Sequence, residues 1–234
     1  MGRIICVLTM CAMLPVSSYL STAARVCIEG LALMNIGFLA SHGGSNMQAI
    51  VDACSSGALK ANPAIIISNN GDSQALARAR QEGIAWRHLS AKALPDSEDL
   101  DQAILDALVD HDVDVVVLAG YMRKIGPKVL QHFNGRILNI HPALLPKFGG
   151  QGMYGMRVHR AVVEAGENES GVTIHLVDGE YDTGPILAQA TVALAPNDDA
   201  EDVAAKVLKC EHIFFAQTLQ RIVDGEIELP ALNT

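Results

Sequence analysis

From Asn35 onward, short apolar runs alternate with longer stretches in which apolar positions recur with helical spacing. The apolar runs predict strands at 35–40, 64–68, 86–89, 113–119 and 137–140. The stretches between them predict helices at 45–54, 72–82, 97–110 and 127–133. Asp72 is the expected N-cap of the second helix. Strands that alternate with helices indicate right-handed βαβ units in a doubly wound, mostly parallel sheet.

The pattern changes after residue 170. Two strand-like runs, 171–177 and 185–192, are separated only by the turn-rich stretch DGEYDTG. They are therefore predicted to form an antiparallel pair at one end of the sheet. A long closing helix is expected over 198–224. The predicted fold class is thus α/β, with a doubly wound, mostly parallel sheet and an antiparallel strand pair near the C-terminal part.

The first 33 residues differ from the rest of the chain. Arg3 precedes an apolar run at 4–14, and small residues follow at 21–24, which is typical of a secretory signal peptide. The absence of acidic residues before Glu29 also fits an organellar transit peptide. We favour a third interpretation, in which 1–33 is a translated upstream region and Met34, directly before the first strand, is the natural start.

The charge, the cysteine spacing and the length of the apolar run argue against nucleic-acid, metal and membrane binding. A formal net charge of −9 argues against a nucleic-acid binder, which needs a basic face. The five cysteines form no CxxC pair, which predicts reduced thiols and no metal site. The apolar run near the N-terminus is too short to span a bilayer, so no membrane partner is expected.

Two predicted loops have the composition of ligand sites. In an open α/β sheet, ligands bind outside the carboxyl ends of the strands. The stretch ASHGGSN, 40–46, joins a glycine turn to a helix start, whose free N–H groups favour an anion such as a phosphate monoester. The stretch AGYMRKIG, 119–126, offers main-chain groups and an apolar slot for a flat heterocycle. The simpler alternatives are an ordinary capped glycine turn and a solvated loop.

The stretch RILNIHPALLPKF, 136–148, places two polar side chains at the end of a buried strand. Asn139 and His141 are two residues apart, so they project to the same side of the strand. A carboxamide that polarises a carbonyl, beside an imidazole that moves a proton, suits acyl transfer. A carboxylate on the later turn, preferably Asp182 and alternatively Asp178, is expected to reach His141 and raise its pKa. The alternative is a core histidine bonded to the backbone.

These motifs occur in the same order in the phosphoribosylglycinamide formyltransferases, folate-dependent enzymes of purine biosynthesis. The chain resembles this family over 34–234, through SHGGSNMQAI, ISNN, VVVLAGYMRKI, ILNIHPALLPKF, DGEYDTGPILAQ and CEHIFF. The resemblance implies a Rossmann-like formyltransferase fold with one catalytic domain at 34–234. It also implies transfer of the formyl group of 10-formyltetrahydrofolate, as co-substrate, to the amine of glycinamide ribonucleotide.

The resemblance further implies a role for each site residue. Asn139 would polarise the formyl oxygen, His141 would be the general acid and base, and Asp182 would tune it. The residues that would bind the substrate phosphate are Gly44, Ser45 and Asn46. Those that would bind the folate are Met122, Arg123, Lys124, Ile125 and Asn139. Glu211, in the late CEHIFF motif, would contact the ribose or glycinamide part.

Two other formyl-folate enzymes and a non-catalytic binding module are the alternative functions. A formyltetrahydrofolate deformylase shares the implied fold and the Asn–His–Asp set, but usually carries an N-terminal regulatory domain that 33 residues cannot supply. A methionyl-tRNA formyltransferase needs a basic surface, which a net charge of −9 does not favour. A non-catalytic nucleotide-binding module would require the polar side chains at the strand ends to have a purely structural role. We expect a cytoplasmic enzyme of small-molecule substrates, monomeric or homodimeric, whose insert at 147–159 forms a mobile flap.

Overall fold

The computed structural model describes residues 33–230, and the predicted N-terminal extension lies outside the described residues except for Leu33. In this part of the chain the strands are β1 (Met34–Ala40), β2 (Ala61–Ser68), β3 (Ala85–His88), β4 (Val115–Leu118), β5 (Ile137–His141), β6 (Glu169–Leu176) and β7 (Ile186–Ala193). The helices are α1 (Ser45–Ser56), α2 (Gln74–Glu82), α3 (Ser97–Val109), α4 (Pro127–His132), α5 (Met156–Glu164) and α6 (Ala200–Val223).

All seven strands lie in one sheet, in the order β3-β2-β1-β4-β5-β6-β7. The strands from β3 to β5 pair in parallel, whereas β6 is antiparallel to both β5 and β7. The predicted fold class, a mostly parallel sheet with an antiparallel pair, is therefore confirmed. The strand order reverses between β1 and β4, and the crevice outside such a switch point is where open α/β sheets bind ligands.

The sheet is covered on both faces, which explains why its central strand β4 is apolar throughout. Strand β4, VVVL, is fully buried. One apolar cluster packs α1, α2, α5 and α6 against one face of the sheet, and a second packs α3 and α4 against the other. Within residues 33–230, no helix combines the length and apolar character that crossing a membrane requires.

One local prediction was wrong. Helix α2 is capped by Ser73 rather than Asp72, because the Ser73 hydroxyl accepts a hydrogen bond from the Leu76 N–H at 3.3 Å. The predicted flap at 147–159 includes the start of a helix, since α5 begins at Met156, and its mobility stays a prediction. The four glycines of that stretch obscure the start of the helical pattern, whose apolar stripe continues beyond residue 159 into the core.

Candidate active site

His141 ends strand β5 and is held at both ring nitrogens. Its Nε2 lies 2.8 Å from the Phe148 carbonyl oxygen, and its Nδ1 lies 3.4 Å from Oδ2 of Asp182. Because a carbonyl can only accept, Nε2 carries the hydrogen of the neutral ring. The Nδ1 lone pair therefore faces the carboxylate, and a proton taken up there forms an ion pair. With the side chain only 3% exposed, that exchange is shielded from bulk water.

Asp182 comes from the turn between β6 and β7. Its backbone has a φ of 58°, a left-handed conformation that Asp and Asn adopt more readily than other side chains. Its Oδ2 also accepts a hydrogen bond from the Gly150 N–H, at 2.9 Å. The alternative carboxylate, Asp178, instead accepts from the Thr183 hydroxyl and the Glu180 N–H. The structure thus places Asp182, and not Asp178, beside His141.

His175 is a member of this cluster that sequence reasoning missed. It pairs with Asn139 in the β5–β6 register, and its Nδ1 donates to the Leu176 carbonyl at 2.9 Å. Its Nε2 is then free to accept from Nδ2 of Asn139, at 3.1 Å, and lies 3.5 Å from Oδ1 of Asp182. The antiparallel register that brings β6 beside β5 does not show in residue spacing, and a histidine just before the DGEYDTG turn was the only signal.

Burial and neighbouring groups together set the charge states of His141 and Asp182. Burial lowers the pKa of His141 below 6.5, and the Asp182 carboxylate and the Phe148 carbonyl offset that effect only in part. Asp182 therefore raises this pKa, as predicted, but burial lowers it by more. Burial alone would raise the pKa of Asp182, but the neighbouring His175 and His141 rings and the hydrogen bond from the Gly150 N–H outweigh it, so the pKa is lowered. The cluster holds a neutral imidazole beside an ionised carboxylate at neutral pH.

The loop after β1, residues 42–46, has the features of an anion site. Gly44 is the N-cap of α1 with a φ of 65°, and no side chain of the described residues caps this helix. A Cβ at Gly44 would come within 2.9 Å of the Ala75 Cβ, so only glycine fits. Arg78 donates from Nε to the Gly43 carbonyl at 3.2 Å. This cation beside the loop was also missed from the sequence, because it lies on a separate helix, α2.

Glu211 of α6 meets the same loop. Its Oε2 accepts a hydrogen bond from Nδ2 of Asn46 at 3.1 Å, across 165 positions of the chain. Burial raises the pKa of Glu211 to about 7, and the bond from Asn46 opposes the rise without cancelling it. The Oδ1 of Asn46 is buried and has no protein partner among the described residues. The two side chains thus form a half-satisfied polar pair next to the helix start.

We predict that Glu211→Gln stabilises the protein at pH 8 by about 1–3 kcal/mol and has little effect near pH 4.5. The pKa is raised in the folded state, so the unfolded chain loses its proton first and stability falls as pH rises toward 7. A tenfold difference in proton affinity between the folded and unfolded chain corresponds to about 1.4 kcal/mol. The glutamine side chain retains an oxygen that can accept the hydrogen bond from Asn46, and it carries no charge that has to be buried.

Thermal melts at both pH values measure the change in stability, with Glu228→Gln, at an exposed position, as the control. Equal effects at the two pH values would contradict it.

The loop after β4, residues 122–125, flanks the other side of the switch point. Met122 is 44% exposed, and Ile125 packs against the apolar cluster formed with α3 and α4. Lys124 donates to Oε1 of Glu180 at 3.1 Å. Arg123, Lys124 and Ile125 line a cavity of about 1070 Å³ that extends toward the ends of β2 and β3. The loop therefore offers space for a ligand larger than a phosphate.

The described residues contain no group of three His, Cys, Asp or Glu side chains arranged to hold a metal ion. The predicted site residues are distributed over three neighbouring places: the loop after β1 with Glu211, the loop after β4, and the end of β5 with Asp182. All three lie at the carboxyl edge of adjacent strands in the order β1-β4-β5. The catalytic and binding roles expected of these residues remain predictions.

Comparison with known proteins places this arrangement in a family. The sequence profile of the formyl transferase family matches residues 34–219. The phosphoribosylglycinamide formyltransferase of Escherichia coli (strain K12) is 39% identical over 196 residues, covering 84% of this chain and 90% of that one. A crystal structure of glycinamide ribonucleotide transformylase 1 from Symbiobacterium toebii matches with a TM-score of 0.77 at 36% identity, covering 86% and 95% of the two chains. A formyltetrahydrofolate deformylase from Pseudomonas syringae pv. tomato, 22% identical with a TM-score of 0.74 over 87% of this chain and 67% of that one, shares the fold alone. The chain belongs to the formyl transferase family.

Proposed function

We propose that this enzyme transfers the formyl group of 10-formyltetrahydrofolate to the amine of 5-phosphoribosylglycinamide. The observation that carries the proposal is the buried cluster of Asn139, His141, His175 and Asp182 at the edge of β5. The proposed anion loop lies at the end of β1 and the proposed ligand loop at the end of β4. The names of the E. coli and S. toebii relatives support formyl transfer with phosphoribosylglycinamide as the acceptor. The products are formylglycinamide ribonucleotide and tetrahydrofolate.

The chemistry follows from the hydrogen-bond directions in the cluster. The substrate amine attacks the formyl carbon, and the formyl oxygen gains negative charge as its double bond opens. Asn139 uses one amide hydrogen for Nε2 of His175 and keeps the other for this oxygen. The amine proton passes to the neutral His141 imidazole, directly or through a bound water, and is held at Nδ1 beside Asp182. Asp182 stabilises the imidazolium, which returns the proton to the folate nitrogen as the carbon–nitrogen bond breaks.

Substrate binding is assigned to the two loops. The backbone N–H groups at Gly44, Ser45 and Asn46 bind the phosphate, where the dipole of α1 adds to the positive charge of Arg78. Glu211 accepts from the ribose or glycinamide part. The folate pterin lies against Met122, Arg123, Lys124 and Ile125, with Asn139 at its reactive end. Because both substrates are small cytosolic metabolites, a cytoplasmic location is part of the proposal.

The pH dependence of the reaction provides one prediction. His141 acts as a base only when neutral, and burial lowers its pKa below 6.5. We therefore expect kcat/KM for 10-formyltetrahydrofolate to rise with pH on the acid side, with its midpoint below 6.5, and to stay level through pH 7–8. Glycinamide ribonucleotide is kept saturating, so that the titration of Glu211 does not limit the rate. A midpoint above 7 would contradict the assignment of His141 as the base.

Formyl transfer itself is tested by two parallel incubations. The enzyme is mixed with 10-formyltetrahydrofolate, with and without glycinamide ribonucleotide, and the formation of tetrahydrofolate and formylglycinamide ribonucleotide is measured. Turnover only with the amine present supports the transferase. Equal turnover without it would indicate a deformylase. No turnover in either incubation would favour a non-catalytic binding module.

A further inference from the structure

Ser41 is the residue at which the loops after β1, β2 and β4 meet. It directly follows β1, and it is only 1% exposed. Its hydroxyl accepts a hydrogen bond from the Met122 backbone N–H at 2.8 Å and donates one to Oδ1 of Asn69 at 2.6 Å. Its own N–H donates to the Gly120 carbonyl at 3.1 Å. One buried side chain therefore joins three strand ends around the switch point.

The chemistry of these groups fixes the direction of both hydroxyl bonds. The Met122 nitrogen can only donate, so the Ser41 oxygen must accept from it. The single hydroxyl hydrogen then goes to Asn69, whose amide oxygen faces Ser41. Asn69 thereby orients the hydroxyl so that its lone pair meets the Met122 N–H. We call the two hydrogen bonds of Ser41 and Asn69 the relay; Ser41 lies outside the cavity beside loop 122–125, whereas Asn69 is one of its lining residues.

The two loops that the relay joins are the two ligand loops. Ser41 immediately precedes loop 42–46, which is anchored on its other side because the Ala75 N–H donates to the His42 carbonyl at 3.1 Å. Met122 opens loop 122–125, and its side chain is largely exposed. The Met122 amide is thus a point at which the start of an exposed loop is tied to a rigid interior.

We propose that Ser41 and Asn69 are positioning residues that hold the Met122 amide, and with it loop 122–125, in the conformation that binds the flat heterocycle of the folate co-substrate. This inference rests on the proposed function. Without the Ser41 hydroxyl the loop must be ordered when the ligand binds, and that entropy cost reduces affinity. The groups of β5 that carry the chemical step do not contact the relay, so their rate stays the same.

Ser41→Ala is expected to raise KM for 10-formyltetrahydrofolate by about 3–10-fold, since a typical hydrogen bond contributes about 0.5–1.5 kcal/mol. The values of kcat and of KM for glycinamide ribonucleotide stay within about twofold. Ser68→Ala is the matched control, because Ser68 is also buried at a strand end but its hydroxyl bonds to Asn70 of its own loop. A purely structural role would lower the melting temperature and the active fraction without changing KM.

A second variant keeps the inference testable if Ser41→Ala does not fold. Asn69→Ala, at a half-buried position, is expected to raise the same KM by about 2–4-fold. In the Ser41→Ala/Asn69→Ala double variant, the substitution of Asn69 is expected to raise KM for 10-formyltetrahydrofolate no further, because the hydrogen bond between the two side chains is already lost. If the effects of the two substitutions on this KM are fully additive as free energies, Ser41 and Asn69 act independently and the inference is wrong.

Titration of wild type and Ser41→Ala with tetrahydrofolate, the proposed product, gives a readout that needs no turnover. Supporting results are a folate KM and a tetrahydrofolate Kd that both rise in Ser41→Ala and not in Ser68→Ala. If the wild type transfers the formyl group but the folate KM and the tetrahydrofolate Kd are both unchanged in Ser41→Ala, the positioning inference is wrong and the proposed function stands. Absence of formyl transfer by the wild type overturns the proposed function instead.

Discussion

His141→Ala is expected to lower kcat by about 10²–10⁴-fold while KM for either substrate changes by less than about threefold. A positioned general acid–base group contributes a rate factor of that size. The imidazole is fixed by the Phe148 carbonyl at Nε2 and lies beside Asp182 at Nδ1, so the ring needs no reorientation before it takes up a proton. The proposed binding sites of the phosphate and the heterocycle are the other two loops, so KM is expected to change little.

The test compares steady-state kinetics of the variant with those of His111→Ala. His111 follows α3 at the opposite edge of the sheet, where its Nδ1 contacts the Ala107 carbonyl. Because His141 is buried, its removal also leaves a small cavity, and melting temperatures of both variants show how much of the protein remains folded. A kcat within about threefold of wild type in a fully folded His141→Ala protein would exclude His141 as the acid and base.

Asp182→Asn is expected to lower kcat by about 10–100-fold and to shift the acid limb of the pH profile to lower pH. Hydrogen bonds to charged groups contribute about 1.5–3 kcal/mol, and the carboxylate supplies such a bond to the imidazolium. Asp182 also raises the pKa of His141, so its removal lowers that pKa further. Asparagine tolerates the left-handed backbone at this position, so the turn should keep its conformation.

Asp178→Asn is the matched control for this substitution. It removes the same charge from the same turn, but its carboxylate contacts the Thr183 hydroxyl and the Glu180 N–H and not an imidazole. Its kcat and pH profile should match those of the wild type. If the two variants lose equal activity, the effect comes from the net charge of the turn and not from the contact with His141.

Those features of the site that depend on local periodicity could be predicted from the sequence. Asn139 and His141 share a side of β5 because strand side chains alternate with a period of two. The glycine turn at Gly44 and the start of α1 follow from local composition, as do the alternating strands and helices that define the fold. Family resemblance added roles to these residues and to Glu211, which periodicity alone could not supply.

The tertiary structure decided which distant groups meet. Asp182 rather than Asp178 reaches His141, from a turn between β6 and β7 whose backbone is left-handed at Asp182. His175 joins the cluster because β6 runs antiparallel to β5 in a register that pairs it with Asn139. Strand register and turn conformation depend on how the whole sheet packs, and the same local hydrophobic pattern is compatible with more than one register.

The sequence by itself therefore determined the α/β fold, the strand-end loops and the Asn139–His141 pair. Only the tertiary structure decided the state of that pair: a neutral His141 with its free nitrogen toward Asp182, and an Asn139 amide oriented by His175. The physical reason is that periodicity records which face a side chain occupies, whereas charge and hydrogen bonding depend on burial and on partners brought together by long-range pairing.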